Sequence, residues 1–353
     1  MEMLETVQVL RIFILTAGSF IMGLLVAPAL SAILYKYRFG KSIRASDDAP
    51  IMSAMHQKKS GTPTMGGVLI WATVLVFAVL LGLIQHFAPG SLLGRMSFLS
   101  RSETLLPLGL MVLGAVVGMF DDVFNILKLG PKGGGLSVKQ RLFLYTLLAG
   151  VGACWFYFKL DFSVLHIPFY KDIDMGLWYL PFFVLVMAAT THALNITDGL
   201  DGLAAGSLAA ALCAYLVIAF IQGRFDLAAL LGVLIGALMA FLWFNINPAR
   251  FFMGDTGSMS LGFVLAAVAM LTNTALLLPI IALLLVIETL SVIVQLSSKK
   301  IRKKKVFHSA PIHHHFEAIG WPETKIVMRF WIVSGISAVC GLALFLLDRG
   351  FTV

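Results

Sequence analysis

Long uncharged stretches constrain this chain more than any other feature of it. Residues 68–84, 104–119 and 204–221 are nearly free of charge and approach the length needed to cross a bilayer. Hydrophobic residues make up 59% of the 353, and charged ones only 12%. A water-soluble domain cannot hide that much apolar surface, because its surface-to-volume ratio leaves much of it exposed. The sequence therefore predicts an all-α, polytopic integral membrane protein.

Apolar runs near 12–33, 68–87, 104–120, 139–158, 177–194, 203–222, 227–246, 258–275, 277–297 and 327–347 give about ten transmembrane helices, the division around Thr272–Thr274 being the least defined. The first run lacks the basic leader of a signal peptide, since Glu2 and Glu5 face a single Arg11, so it reads as a retained helix. The positive-inside rule sets the orientation. With both termini periplasmic, the cytoplasmic loops near 35–67, 121–138, 195–203, 245–258 and 298–326 collect most of the 26 basic residues. The chain reads as a single transmembrane catalytic domain over 1–353. The segment 159–176, with Lys171, Asp172 and Asp174 among aromatics, predicts a short hairpin on the outer side. Cys154, Cys213 and Cys340 lie in apolar runs and suggest neither a disulfide nor a metal site.

This ordering brings four polar islands to one face: "FDD" at 120–122, "NITDGLDGL" at 195–203, "FFMGDTGS" at 251–258 and "PIHHHFE" at 311–317. Asp121 and Asp122 close an apolar helix. Asp198 and Asp201, three apart, are expected on one face of a helix start, and Asp255 sits between two glycines. Carboxylates gathered near a bilayer repel one another and are costly to desolvate. A hard divalent cation such as magnesium, which takes oxygen ligands and also holds substrate phosphates, resolves both problems. His313, His314 and His315 are adjacent, so they point apart and rarely bind one ion together; they read as a polar wall for a phosphate or sugar. The glycines of "TPTMGG" (62–67) and "GDTGS" (254–258) each precede a helix, where backbone N–H groups can hold anions. Neither matches a P-loop. Lys58 and Lys59, just ahead of the first, are candidates to neutralise a lipid phosphate.

In this order, "TPTMGG", "GMFDD", "NITDGLDGL", "NPARFFMGDTGS" and "PIHHHFE" resemble the polyprenyl-phosphate N-acetylhexosamine-1-phosphate transferase superfamily over nearly the whole chain, and "PIHHHFE" points to its muramoyl-pentapeptide branch. The resemblance implies attack by undecaprenyl phosphate on UDP-N-acetylmuramoyl-pentapeptide in the bacterial cytoplasmic membrane, with Mg2+, ten spans and a homodimer. It makes Asp255 the metal ligand and places Phe252 on the uracil. Asn195, Asp198 and Asp201 then bind the nucleotide side, with Asn245 and Thr64 helping to hold that wall. Asp121, with Asp122 beside it, becomes the partner of the lipid phosphate, and His313, His314 and His315 read the muramoyl or diphosphate part.

Direct attack and a covalent aspartyl route both remain open on these residues, as does a sister enzyme using another sugar. A transporter fits poorly, because transport favours polar groups at the bilayer midplane. Glu288, in the apolar run that also holds Pro279, predicts a bend or a groove lining.

Overall fold

A computed structural model describes residues 2–37, 39–40, 61–130 and 134–351. The helices in chain order are α1 (Glu2–Lys36), α2 (Val68–Phe87), α3 (Leu105–Ile126), α4 (Val138–Leu160), α5 (Tyr179–Thr197), α6 (Leu203–Ile221), α7 (Phe225–Asn245), α8 (Gly254–Leu271), α9 (Leu278–Ile281), α10 (Leu283–Arg302), α11 (Ile312–Ala318) and α12 (Glu323–Phe351). Among the described residues, nine helices are long and apolar enough to cross a membrane: α1 to α8 and α12.

The run 277–297 is helical but not continuous. It breaks at Ala282 (φ −110°, ψ 41°), three residues after Pro279, into the short α9 and the longer α10. Pro279 lies in the first turn of α9, where proline is tolerated because that N–H has no helical partner; the expected bend is present, but it falls after the proline, at Ala282. A second difference lies at 198–202. Helix α5 ends at Thr197 and α6 begins at Leu203, so Asp198 and Asp201 occupy the connecting turn instead of the first turn of a helix.

Helix α8 is the axis of the molecule, and every one of its residues is buried. It packs most extensively on α3 and then on α5, while α1 packs along α7. In lipid there is no hydrophobic drive between helices, so they associate through close van der Waals packing, which favours small residues. Gly118 of α3 shows why: a Cβ there would overlap the carbonyl of Asp255. The missing side chain brings the end of α3, with Asp121 and Asp122, against the start of α8.

The start of α4 is fixed locally. Ser137 accepts a hydrogen bond from the Gln140 amide (3.3 Å), and the Gln140 side chain accepts from the Ser137 amide (2.8 Å). This reciprocal cap sets where the helix begins, and so places Arg141 in its first turn.

At the opposite end of the molecule, the expected hairpin forms from β1 (Val164–His166) and β2 (Asp172–Asp174), antiparallel with Leu165 opposite Ile173. His166 fastens it. Its Nδ1 lies 2.6 Å from Asp172 and its Nε2 2.5 Å from Asp348 on α12. Asp348 also accepts from the Phe169 amide at 2.6 Å.

Candidate active site

Helix ends from across the sequence converge at one end of the bundle, around Arg141. Its Nε pairs with Asp121 Oδ2 at 2.5 Å, at the end of α3. Its Nη2 pairs with Asp255 Oδ2 at 3.1 Å, in the first turn of α8. Its Nη1 donates to Asn195 Oδ1 at 3.3 Å, in the last turn of α5. The amide of Asn195 in turn donates to Asp255 Oδ1 at 2.7 Å and to Ser258 at 2.9 Å. Asp121 and Asp255 are almost completely buried. Two buried carboxylates this close repel each other, and the guanidinium between them supplies the opposing charge with a planar, forked geometry that one ammonium cannot match.

Asp121 has a further bond, from the Leu136 amide at 2.6 Å, so the segment before α4 wraps onto it. Asp122 faces the other way. Its Oδ2 accepts the Thr256 amide at 3.0 Å and its Oδ1 the Thr64 hydroxyl at 3.4 Å. The start of α8 does hold an anion, as the glycine pattern suggests, but the anion is the chain's own Asp122. The "TPTMGG" amides are used internally as well. Gly66 and Gly67 donate to the carbonyls of Phe252 and Met253, at 2.8 Å each, and Phe252 donates to Pro63 at 2.8 Å. That ladder holds Thr64 and Phe252 on one wall. Phe251 is fully buried against Phe241 and Phe244, whereas Phe252 is half-buried. Lys58 and Lys59 lie outside the described residues.

The turn 198–202 forms a second group. Asp198 closes α5 and is half-buried. Asp201 accepts from the Asn247 side chain (2.9 Å) and the Ala249 amide (3.1 Å). Its own amide donates to Glu323 at 2.7 Å. Asn245 accepts from the Gly202 amide at 3.0 Å and donates to the Phe251 carbonyl at 2.9 Å. Asn245 therefore ties this turn to the wall that carries Phe252.

The histidines sit on α11. His313 Nδ1 lies 2.9 Å from Glu288 Oε2, with both side chains fully buried. His314 Nδ1 lies 2.6 Å from Glu317. His315 stacks on His308 and accepts from its amide at 3.2 Å. Gln295 of α10 folds this segment back, bonding the Val306 and Phe307 amides at 3.0 Å each.

An apolar cavity of about 260 Å3 lies between α5 and the broken pair α9–α10, lined by Ala189, Thr190, Ala193, Leu278, Ala282 and Leu285 among others. Ala193 is two residues from Asn195, so the cavity runs alongside the helix that ends in the charged cluster.

The carboxylates do not all gather at one point. Asp121, Asp122 and Asp255 meet where α3 and α8 cross, while Asp201 is engaged by Asn247, Ala249 and Glu323. Among the described residues, no group of three or more His, Cys, Asp and Glu forms a set able to hold a metal. The donors around Arg141 are nonetheless all oxygen (Asp121, Asp255 and Asn195), which suits a hard divalent cation. Sequence reasoning missed Arg141 as a site residue, although it falls within the predicted run 139–158. The available signal was Ser137 followed three residues later by Gln140, which marks the start of the helix and puts Arg141 in its first turn, at the polar end.

Comparison with known proteins gives the family. Residues 104–273 match the sequence model described as Glycosyl transferase family 4. Residues 59–70 match Phospho-N-acetylmuramoyl-pentapeptide-transferase signature 1. The chain is 39% identical over 345 residues to a phospho-N-acetylmuramoyl-pentapeptide-transferase of Geobacillus sp. (strain WCH70), covering 96% of this chain and 98% of the relative. It is 37% identical over 350 residues to that of Chloroflexus aggregans, covering 96% and 90%. With that of Clostridium perfringens (strain ATCC 13124) it shares 38% identity over 337 residues, covering 95% and 97%. A charged cluster built from the ends of α3, α4, α5 and α8, together with likeness over nearly the full length of these relatives, leads to one conclusion: the chain belongs to the phospho-N-acetylmuramoyl-pentapeptide-transferase family.

Proposed function

We propose that the protein transfers phospho-N-acetylmuramoyl-pentapeptide from its UDP-linked donor to undecaprenyl phosphate, giving lipid I and UMP. An oxygen of the lipid phosphate attacks the β-phosphorus of the donor. The new P–O bond forms as the bond from that phosphorus to the bridging oxygen breaks, and UMP leaves with the electron pair. The observation that carries this reading is Arg141 bridging Asp121 and Asp255 at 2.5 and 3.1 Å, beside Asn195. Phosphoryl transfer needs charge neutralisation and alignment more than covalent help. A guanidinium between two carboxylates also has donors suited to an incoming phosphate oxygen.

Asp121 orients the lipid phosphate and can take its remaining proton. A phosphate monoester loses its second proton near pH 6, with a pKa of about 6, so direct attack requires no strong base. Asp255 and Asn195 are the ligands suited to Mg2+, with Asp121 close by. When bound, the ion supplies charge neutralisation at the diphosphate. Phe252 stacks on the uracil, and the turn with Asp198 and Asp201 holds the donor. His314 is the nearer of the pair to the sugar-diphosphate portion, with the buried His313 behind it against the 198–202 turn and His315 on His308. Lys58 and Lys59 neutralise lipid phosphate. The cavity between α5 and α9–α10 takes the first isoprene units of the acceptor, since it is apolar and leads toward Asn195.

The charge distribution supports a cytoplasmic location for this end in the bacterial inner membrane. The segment 299–305, with Lys299, Lys300, Arg302, Lys303, Lys304 and Lys305, lies on the same side as α11 and is exposed.

The test is a purified-protein assay with undecaprenyl phosphate and a panel of UDP-sugars, with and without Mg2+. The expected outcome is lipid I and UMP in equal amounts from the muramoyl-pentapeptide donor alone, lost on chelation. Equal transfer from UDP-N-acetylglucosamine would assign the protein to a sister activity.

A further inference from the structure

Glu288 is the one carboxylate on α10, and it has no exposed surface. Its helical neighbours Leu285 and Thr289 line the apolar cavity, but Glu288 itself does not. A carboxylate in such a place is costly unless another group bonds it. His313 does so at 2.9 Å through Nδ1, and its ring is equally buried. The far edge of that ring abuts the middle of the 198–202 turn, where a Cβ on Gly199 would overlap Nε2. His314 packs edge-on against His313 at 4.1 Å between ring centres, and Glu317 holds His314 in turn. A continuous line of contact thus runs from α10 through carboxylate and imidazole to the backbone of the turn that carries Asp198 and Asp201.

We propose that Glu288 is a positioning residue for the donor: it fixes the His313 ring, and the ring fixes the turn on which the UDP-sugar binds. The proposal rests on the transferase reading above, in which that turn belongs to the donor side. An imidazole bonded to a fixed carboxylate loses its freedom to flip, as ligating histidines do when a carboxylate orients them. The glycine at 199 lets the ring press directly on backbone, so the turn is held without a side chain between them. Loss of the carboxylate frees the ring, and donor binding then has to order both ring and turn.

The experiment is steady-state kinetics of purified Glu288→Ala and Glu288→Gln with donor and acceptor varied independently, each corrected for folded protein by thermal unfolding. Loss of the carboxylate raises the donor KM about tenfold in Glu288→Ala, the size expected for one charge-assisted hydrogen bond. Glu288→Gln keeps an oxygen that accepts from Nδ1–H and raises it by about threefold. The acceptor KM and the Mg2+ concentration at half-maximal rate stay unchanged. In a His313→Ala background, Glu288→Ala adds less than about twofold, because the two residues act as one unit. A shift in acceptor KM in place of donor KM, or an effect that multiplies with His313→Ala, overturns the proposal. Should Glu288→Ala not fold, an unchanged donor KM in Glu288→Gln overturns it equally. Failure of the wild-type protein to transfer any sugar phosphate would instead remove the transferase reading itself.

Discussion

Arg141 carries the electrostatics of the site. It contacts both Asp121 and Asp255, and its side chain is 14% exposed. Removing one partner of a buried ion pair leaves uncompensated charge and costs about 3–5 kcal/mol. Arg141→Met is therefore expected to lower the unfolding temperature in detergent and to abolish transfer. Arg141→Lys keeps the charge but not the fork that reaches two carboxylates and an amide together. It should fold normally and lose about tenfold in kcat/KM, as one strong hydrogen bond is worth. Equal stability in Arg141→Met and wild type would show that the carboxylates do not need this counter-charge. The aspartates and histidines were legible as residues because acids and imidazoles are rare in apolar sequence. Their bonds were not. Nothing in the sequence joins Glu288 to His313, or gives Asp122 the task of holding the start of α8.

Among the elements, the outer hairpin shows how a local reading gains its meaning from a distant helix. Lys171, Asp172 and Asp174 among aromatics in 159–176 predicted a short hairpin, but not that Asp348 of α12 would close over His166. Burial of the ring opposes its charge, yet hydrogen bonds to Asp172 and Asp348 outweigh that effect, and the pKa of His166 is raised above its ordinary value of 6.5. Asp172 from β2 and Asp348 from α12 face the ring, while Arg349 donates away from it to the Ile221 carbonyl at 2.9 Å. A histidine whose folded-state pKa is raised contributes stability in full below its unfolded value, and loses it as pH rises through the folded value. Amide exchange over 164–174 should therefore be slower at pH 6 than at pH 9, after correction for intrinsic rates. His166→Asn should remove that difference; if the variant keeps it, another group is responsible. The broken α9–α10 pair was legible for a similar reason, since Pro279 and Glu288 fall in one apolar run. The turn at 198–202 was misread as a helix start because two aspartates three apart fit a helical face as well as a tight connection.

For the molecule as a whole, the alternation of apolar runs and polar islands was enough to give the class of fold and the gathering of the islands at one end. It could not give α8 its place at the centre, because a helix wholly enclosed by protein differs from a lipid-facing one only in its small and polar residues. Those from Gly254 to Ser258 were first read as chemistry alone. They serve packing too, with Thr256 donating to the Ala115 carbonyl at 2.8 Å. Sugar-phosphate transfer is proposed to take place at the junction of α3, α4, α5 and α8. The most direct measurement is the initial rate of lipid I formation by Asp255→Asn at equal amounts of folded protein and saturating Mg2+. Loss of a preorganised charge at a reacting phosphate predicts a fall of at least about a hundredfold. A rate within threefold of wild type would place the chemistry somewhere other than this junction.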